Sequence, residues 1–436
     1  MKTHYDIEES KAMFYLKQGI LLLTLLALFL PLVGLRNSPL LAILGGVGLY
    51  CFFLPKKNRL SAYGWICIAY FLYLLLSEWF IFNEYRTIFL RRAVPAFFSG
   101  TAAYYVLRAP TPSHLNLLPA ALLLAIGVGL AGMGLGLFEP EKFLTNDRLH
   151  FFIINPNNLG YMVSLAFVIG LAYLLNRRNE AIFFSTPGFV RIWSRLSSPG
   201  IVLAGSLAAL TMLWLSNSRI AMVAALASAI AALFFRLKIK TAILCAATGL
   251  SLFLAVLFLP PALGLYDNPA LARVRQMVAA PWNDPTFRSR LPIWESAWHS
   301  AQKSPMLGHG PQSFARITHP HFVREHYEEL CAKYGQNVID NDTTNPHHVH
   351  NQFLQILTEQ GLLGLIFLLI LVLYPLNMAM RHKGLGVLGP LLVHFLVCSL
   401  AQTPLDNNRL AVTVLFSSFG YFACVSFNKQ KINTPA

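Results

Sequence analysis

Uncharged apolar blocks recur along this chain at the length of a bilayer crossing, and they limit what it can fold into. Residues 18–35 carry no charged side chain, and neither do residues 241–266. About 18–20 apolar residues cross about 30 Å of hydrocarbon as a helix. Inside that layer the backbone has no water to bond, so each block is read as a helix that satisfies its own N–H and C=O groups. Such blocks fall near 14–35, 39–55, 62–82, 93–107, 115–138, 156–176, 200–217, 219–235, 241–264, 351–376, 385–402 and 408–427. The expected fold is an all-α integral membrane protein with about 12 transmembrane helices. Charged residues make up 12% of the chain, against roughly 25% in a soluble domain, which is too few to cover a water-soluble protein of this length.

A formal charge of +15 first suggests a polyanionic partner, but its placement points to topology. Twelve crossings put both termini on one side of the bilayer. That side collects 18 of the 34 Lys and Arg, the opposite short connections hold 8, and one long loop holds the other 8. Positive charge is retained in the cytoplasm, so both termini are expected there and the long loop outside. The basic balance then reports topology and anionic membrane lipids, and no nucleic acid is expected as a partner. The first block follows a polar segment with Asp6, Glu8 and Glu9, and it lacks the pattern of a cleaved signal peptide. Cys331 is alone in the long loop, so no disulfide forms within it.

Three regions follow from this reading: residues 1–264 with transmembrane helices one to nine, the loop 265–350, and residues 351–436 with helices ten to twelve and a cytoplasmic tail. The loop holds eight of the chain's 13 histidines, and a loop of this length is usually functional. Two stretches in it have helical periodicity. In 291–303, Ile293, Ala297 and Ala301 form a stripe with Trp294 and Trp298 beside it. In 321–334, Phe322, Val323, His326, Tyr327, Leu330 and Tyr334 do the same. Both are amphipathic and suited to roof the bundle or lie at its interface. Asp340-Asn341-Asp342 reads as a polar turn.

Three motifs are absent: G-x-x-x-x-G-K-[ST], a G-x-G-x-x-G after a strand, and H-E-x-x-H. Chemistry driven by ATP or nicotinamide is therefore not expected, and a substrate at the outer face would have to arrive activated. Four segments carry candidate chemistry. In LWLSNSRIA, Arg219 stands between two apolar blocks. It is either an interface anchor or a phosphate ligand, since guanidinium matches phosphate oxygens and stays charged. In TFRSRLPIWESAWHSAQKSPMLGHG, Arg288 and Arg290 precede the first amphipathic helix, and Gly308 with Gly310 reads as its closure. In NPHHVHNQFLQILTEQGLLG, His347, His348 and His350 crowd the mouth of the tenth block. Imidazole is a base near neutral pH, and with His319 and His321 zinc is a competing use. In RLHFFIINPNNLGYM, Arg148 precedes Asn155, Asn157 and Asn158, which suit sugar hydroxyls or a helix cap.

Taken together, these segments resemble the O-antigen ligase and polymerase superfamily of bacterial envelopes. The resemblance rests on N-P-N-x-L-G at 155–160, S-R-I-A at 218–221, R-x-x-x-W followed by P-x-x-G-x-G at 290–310, and H-N-x-x-L-Q-x-x-x-E-x-G-x-x-G at 350–364, and it spans roughly residues 140–375. It implies a metal-independent, inverting glycosyltransferase without a cofactor in the bacterial inner membrane, GT-C-like, with its long loop and active site in the periplasm. The donor would be a glycan on undecaprenyl diphosphate, and the acceptor lipid A–core. By motif, Arg219 and Arg290 fall on the diphosphate and His350 beside the acceptor. Arg288 is a substitute for Arg290, and His347 and His348 are substitutes for His350. Arg148 and Asn157 are further substrate-binding candidates.

Rivals within the superfamily are an O-antigen polymerase and a protein O-oligosaccharyltransferase. The short segment after the last block favours a ligase. A transporter is the rival of another class. Most blocks lack mid-membrane ionisable residues, and His394 reads as a hydrogen-bonded bundle residue.

Overall fold

The computed structural model describes residues 62–80, 127, 144–145, 148–149, 156–176, 195, 198–262, 272, 275–276, 279–280, 284–311, 313–344, 348–381 and 388–401. The blocks expected at 14–35, 39–55, 93–107, 115–138 (Gly127 excepted) and 408–427 lie outside the described residues, and so does His347.

The regular elements among the described residues are helices apart from one minimal antiparallel pairing, β1 (Leu144–Thr145) with β2 (Arg148–Leu149), which the all-α expectation did not include. The apolar helices are α1 (Ala62–Phe80), α2 (Pro156–Asn176), α3 (Pro199–Ser216), α4 (Arg219–Arg236) and α5 (Ile239–Ala262). The short helices of the long segment follow: α6 (Pro285–Arg288), α7 (Leu291–Lys303), α8 (His319–Glu325), α9 (Tyr327–Tyr334) and α10 (Gln336–Thr344). The apolar α11 (Gln352–Arg381) and α12 (Leu388–Ser399) complete the set. Among the described residues, α3, α4 and Gln352–Tyr374 of α11 are long and apolar enough to cross a membrane, and α2, α5 and α12 contain shorter apolar runs. By length and composition these helices are consistent with an integral membrane protein.

Helix α2 packs on α3, α4 and α12, while α11 packs on α1, α7 and α12. Lipid tails are as apolar as side chains, so close approach rather than the hydrophobic effect holds such helices together, and small residues permit it. Helix α4 buries Ala221, Ala225, Ser228 and Ala232 along one stripe. In α2, a Cβ on Gly170 would collide with Ser206 of α3, and one on Gly160 with Ser218. His394 of α12 is fully buried and its Nε2 meets Ser164 Oγ of α2 at 2.7 Å, the bundle role expected for it.

These contacts fix which ends coincide. Gly160 near the start of α2 lies against the turn from α3 to α4. Gly389 at the start of α12 lies against Phe235 at the end of α4, and Asn351 before α11 donates from Nδ2 to the Leu400 carbonyl just past α12 at 3.2 Å. The starts of α2, α4 and α11 therefore share one end of the bundle with the ends of α3 and α12. The described residues of 284–350 sit at that end, through α7 packed on α11.

Helix α7 has the predicted bounds and buries the predicted Ile293, Ala297 and Ala301. Three readings need correction. The 321–334 helix is two helices broken at His326, with Phe322, Val323 and Leu330 in a small core beside Ile339. Asp340-Asn341-Asp342 is helical, within α10. The tenth block is not one straight helix: Gly361 adopts φ 66° and ψ −167° inside α11.

The break at Gly361 has a specific cause. Interrupting a helix orphans carbonyls before it and N–H groups after it, at about 1–3 kcal/mol for each one buried unsatisfied. The Pro305–Gly310 loop inserts there. His309 N–H donates to Thr358 O at 3.0 Å and Gly310 N–H to Glu359 O at 2.8 Å. In return, Leu362 N–H donates to Pro305 O at 2.8 Å and Leu363 N–H to Met306 O at 3.3 Å. On the other side, Tyr73 of α1 donates its hydroxyl to the Gln360 carbonyl, and Tyr70 donates to Gln360 Oε1 at 2.9 Å. A Cβ on Gly308 would strike the Glu359–Gln360 backbone, and one on Gly361 the Met306–Leu307 backbone. Gly308 thus lets two backbones meet; it does not close α7, which ends at Lys303.

Candidate active site

Arg219 follows a two-residue turn. Helix α3 ends at Asn217 in the left-handed conformation (φ 50°), whose N–H bonds the Trp214 carbonyl at 3.1 Å, a conformation that a short amide side chain tolerates. Helix α4 then starts at Arg219. A cation at a helix N-terminus opposes the helix dipole, and Asp284 offsets it. Arg219 forms an ion pair with the Asp284 carboxylate, with a second contact from the other terminal nitrogen to Oδ1 at 3.2 Å and a third to Thr286 Oγ1 at 3.0 Å. The pair joins residues 65 positions apart.

Asp284 is 6% exposed and caps α6: its Oδ1 accepts from Phe287 N–H at 3.0 Å, and its carbonyl accepts from the N–H groups of Phe287 and Arg288. Burial works to raise its pKa. The Arg219 guanidinium and the Phe287 and Thr286 N–H groups outweigh burial and hold the carboxyl below the usual range. The sequence reading missed Asp284. Its signal was Asp-Pro, a capping residue followed by a proline suited to the first helical position.

Arg290 immediately precedes α7, without a side-chain capping bond, and is half-buried. Burial pushes its guanidinium down to about 10, repulsion from Arg219 adds to that, and attraction from Asp284 opposes it. Arg219, Asp284 and Arg290 thus form one charged cluster. Among the described residues the Arg290 side chain makes no hydrogen bond or ion pair. Arg288 is exposed, so of the two loop arginines it is Arg290 that turns toward Arg219.

One turn into α7, Trp294 Nε1 donates to the Val349 carbonyl at 2.8 Å. Val349 N–H in turn donates to Gln355 Oε1 at 2.8 Å, and Gln355 Nε2 to the buried Glu359 Oε1 at 2.6 Å. Asn351 caps α11, accepting from Leu354 N–H at 3.0 Å. His350 lies between these two clamped residues, half-buried, with φ 55°. That left-handed conformation costs a non-glycine residue about 1–2 kcal/mol and persists because its neighbours are held. Its neighbour Val349 packs with Ile293, Ala297 and Phe314 in a hydrophobic core.

The structure therefore brings Arg219, Arg290 and the His350 segment to one end of the bundle, linked through the first turn of α7. His348 is half-buried beside Val349. Asn157 lies in the first turn of α2, and Arg148 in β2, which packs against α2 and α3 at the same end. The histidines weighed for zinc have other contacts. His319 is buried and stacks on Phe314 with ring centroids 5.1 Å apart, and His321 is exposed opposite Glu325 at 3.6 Å.

The site offers two guanidinium groups, one already paired, near the start of the helix whose Trp294 is hydrogen-bonded to the residue before His350. Guanidinium binds phosphate oxygens through parallel N–H groups, and imidazole accepts a proton near neutral pH. No curated protein matches the chain. Residues 203–369 match the family model described as O-Antigen ligase; they include Arg219, Arg290 and His350 but not Arg148 or Asn157. That segment, rather less than half of the chain, is similar to the O-antigen ligase family.

Proposed function

We propose that the protein is an O-antigen ligase. It transfers a glycan from undecaprenyl diphosphate to a sugar hydroxyl of lipid A–core, at the periplasmic face of the bacterial inner membrane. The observation that carries this reading is the meeting of Arg219 and Arg290 at the end of the bundle where α7 holds the His350 segment. In the mechanism, the acceptor oxygen attacks the anomeric carbon of the donor sugar from the face opposite the diphosphate. The C–O bond to the diphosphate breaks, and its electrons remain on the leaving oxygen. Arg290 and Arg219 stabilise that charge as it develops, and removing one such group typically costs about 10²–10³-fold in rate. His350 takes the hydroxyl proton, a contribution of roughly 10²–10⁴-fold. Configuration inverts, and neither a metal nor a nucleotide takes part. The strained backbone at His350 supports a functional role for it, since such strain clusters at active sites.

Reconstitution tests the reading. Purified protein receives lipid-linked glycan and one of three acceptors: lipid A–core, free repeat unit on its own carrier, or a pilin. Transfer to lipid A–core, unchanged by chelator, is the expected result. Extension of the repeat unit alone would make the protein a polymerase. Zinc-reversible inhibition by chelator would overturn the metal-free mechanism.

A further inference from the structure

The Arg219 guanidinium already pairs with an anion. Asp284 reaches both terminal nitrogens of Arg219 through its two oxygens, the bidentate arrangement that also suits phosphate. Its position does not depend on Arg219 alone. The carboxylate is buried, and Phe287 N–H anchors Oδ1 at the start of α6. The carboxylate therefore stays when a ligand arrives, and the cluster of Arg219, Arg290 and Asp284 carries a net charge of one rather than two.

We propose that Asp284 is a built-in counter-anion that weakens the grip of the arginine pair on the spent lipid diphosphate and so speeds its release. This rests on the reading of Arg219 and Arg290 as diphosphate ligands. Breaking the bond from glycosyl carbon to oxygen leaves the diphosphate with one more ionisable oxygen than the donor had. Two unopposed guanidinium groups hold the product more tightly than the donor for that reason, and a trapped product limits turnover. A fixed carboxylate a few ångströms away repels the added charge more than it repels the donor, because the interaction scales with the product of the charges. Asp284 is thus a positioning and affinity-setting residue: it orients Arg219 and tunes release.

The test uses the full-length protein in nanodiscs, with undecaprenyl diphosphate as the probe. Asp284→Asn and Asp284→Ser remove the charge while keeping a helix-capping side chain, and Asp284→Glu keeps the charge. The expected result is binding about tenfold or more tighter in Asp284→Asn and Asp284→Ser, with Asp284→Glu close to wild type. Multiple-turnover rates of the charge-removing variants fall further than their single-turnover rates. Weaker or unchanged binding in both, with Arg290→Ala still abolishing it, would reduce Asp284 to a structural role and overturn the inference. If Arg290→Ala leaves undecaprenyl diphosphate binding intact, the diphosphate reading itself fails and takes this inference with it.

Discussion

The indole N–H of Trp294 donates to the main-chain carbonyl of Val349 at 2.8 Å, tying the first turn of α7 to the residue before His350. Arg290 lies one turn back along the same helix, about 5.4 Å in rise. One hydrogen bond therefore couples the segment bearing the proposed base to the helix bearing a proposed phosphate ligand. Trp294→Phe keeps an aromatic ring over the core of Ile293 and Val349 and removes only the donor. A buried hydrogen bond with an orphaned partner corresponds to about 1–3 kcal/mol. We expect kcat to fall about tenfold with little change in KM for the lipid-linked donor. Wild-type kcat in this variant would show that the bond does not position His350.

Gly361 and Gly335 separate collision from backbone strain. Both have positive φ, 66° and 96°. A Cβ on Gly335 meets nothing within 4 Å, whereas one on Gly361 meets the Met306–Leu307 backbone. Strain of this kind costs about 1–3 kcal/mol, and crowding adds about the same again. Gly361→Ala should lower the unfolding temperature in detergent clearly more than Gly335→Ala. Equal shifts would mean that the loop does not seat in the helix break.

The two loop arginines should differ sharply. Arg290→Ala is expected to reduce glycan transfer about 10²–10³-fold, visible as a lost ladder when a ligase-null strain is complemented. Arg288→Ala, at an exposed position, should stay within about threefold, as surface changes usually do. The reverse order would exchange their roles.

The Arg219–Asp284 pair also predicts an acid response. The Asp284 carboxyl is held below its usual range, so the unfolded chain binds its proton more readily than the folded one. Its stabilisation is present above the ordinary aspartate value of about 3.9 and is lost as pH falls through the lower folded value. Glu295 is shifted the same way, with burial outweighed by Tyr334 and Lys333. Comparison of wild type with Asp284→Asn isolates the first pair. The drop in unfolding temperature between pH 7 and pH 3 should be larger for wild type; equal drops would mean that the pair adds no stability.

Much of this was legible in the sequence because it is local. Hydropathy marked α2 over the residues expected, and periodicity marked α7 with its buried stripe. Arg219, Arg290 and His350 were singled out as residue types in short motifs. The joining of those motifs was not legible, because it depends on contacts between distant segments. Asp284 meets Arg219 across 65 positions and carries only a capping signal locally. Gly308 looked like a helix stop, because nothing in its neighbourhood reveals that Glu359 passes against it. The His326 break was hidden because the apolar period runs through it.

The mutual insertion of the 305–310 loop and the Gly361 break has a practical consequence for exchanging parts between related enzymes. Neither piece is a self-contained cassette, since each completes the other's main-chain bonding. A chimaera that swaps the segment between α5 and α11 but cuts just before α11 would pair a foreign loop with a native notch. Productive crossover points lie before Pro305 and beyond Leu363, so that the loop is transplanted with its own seat.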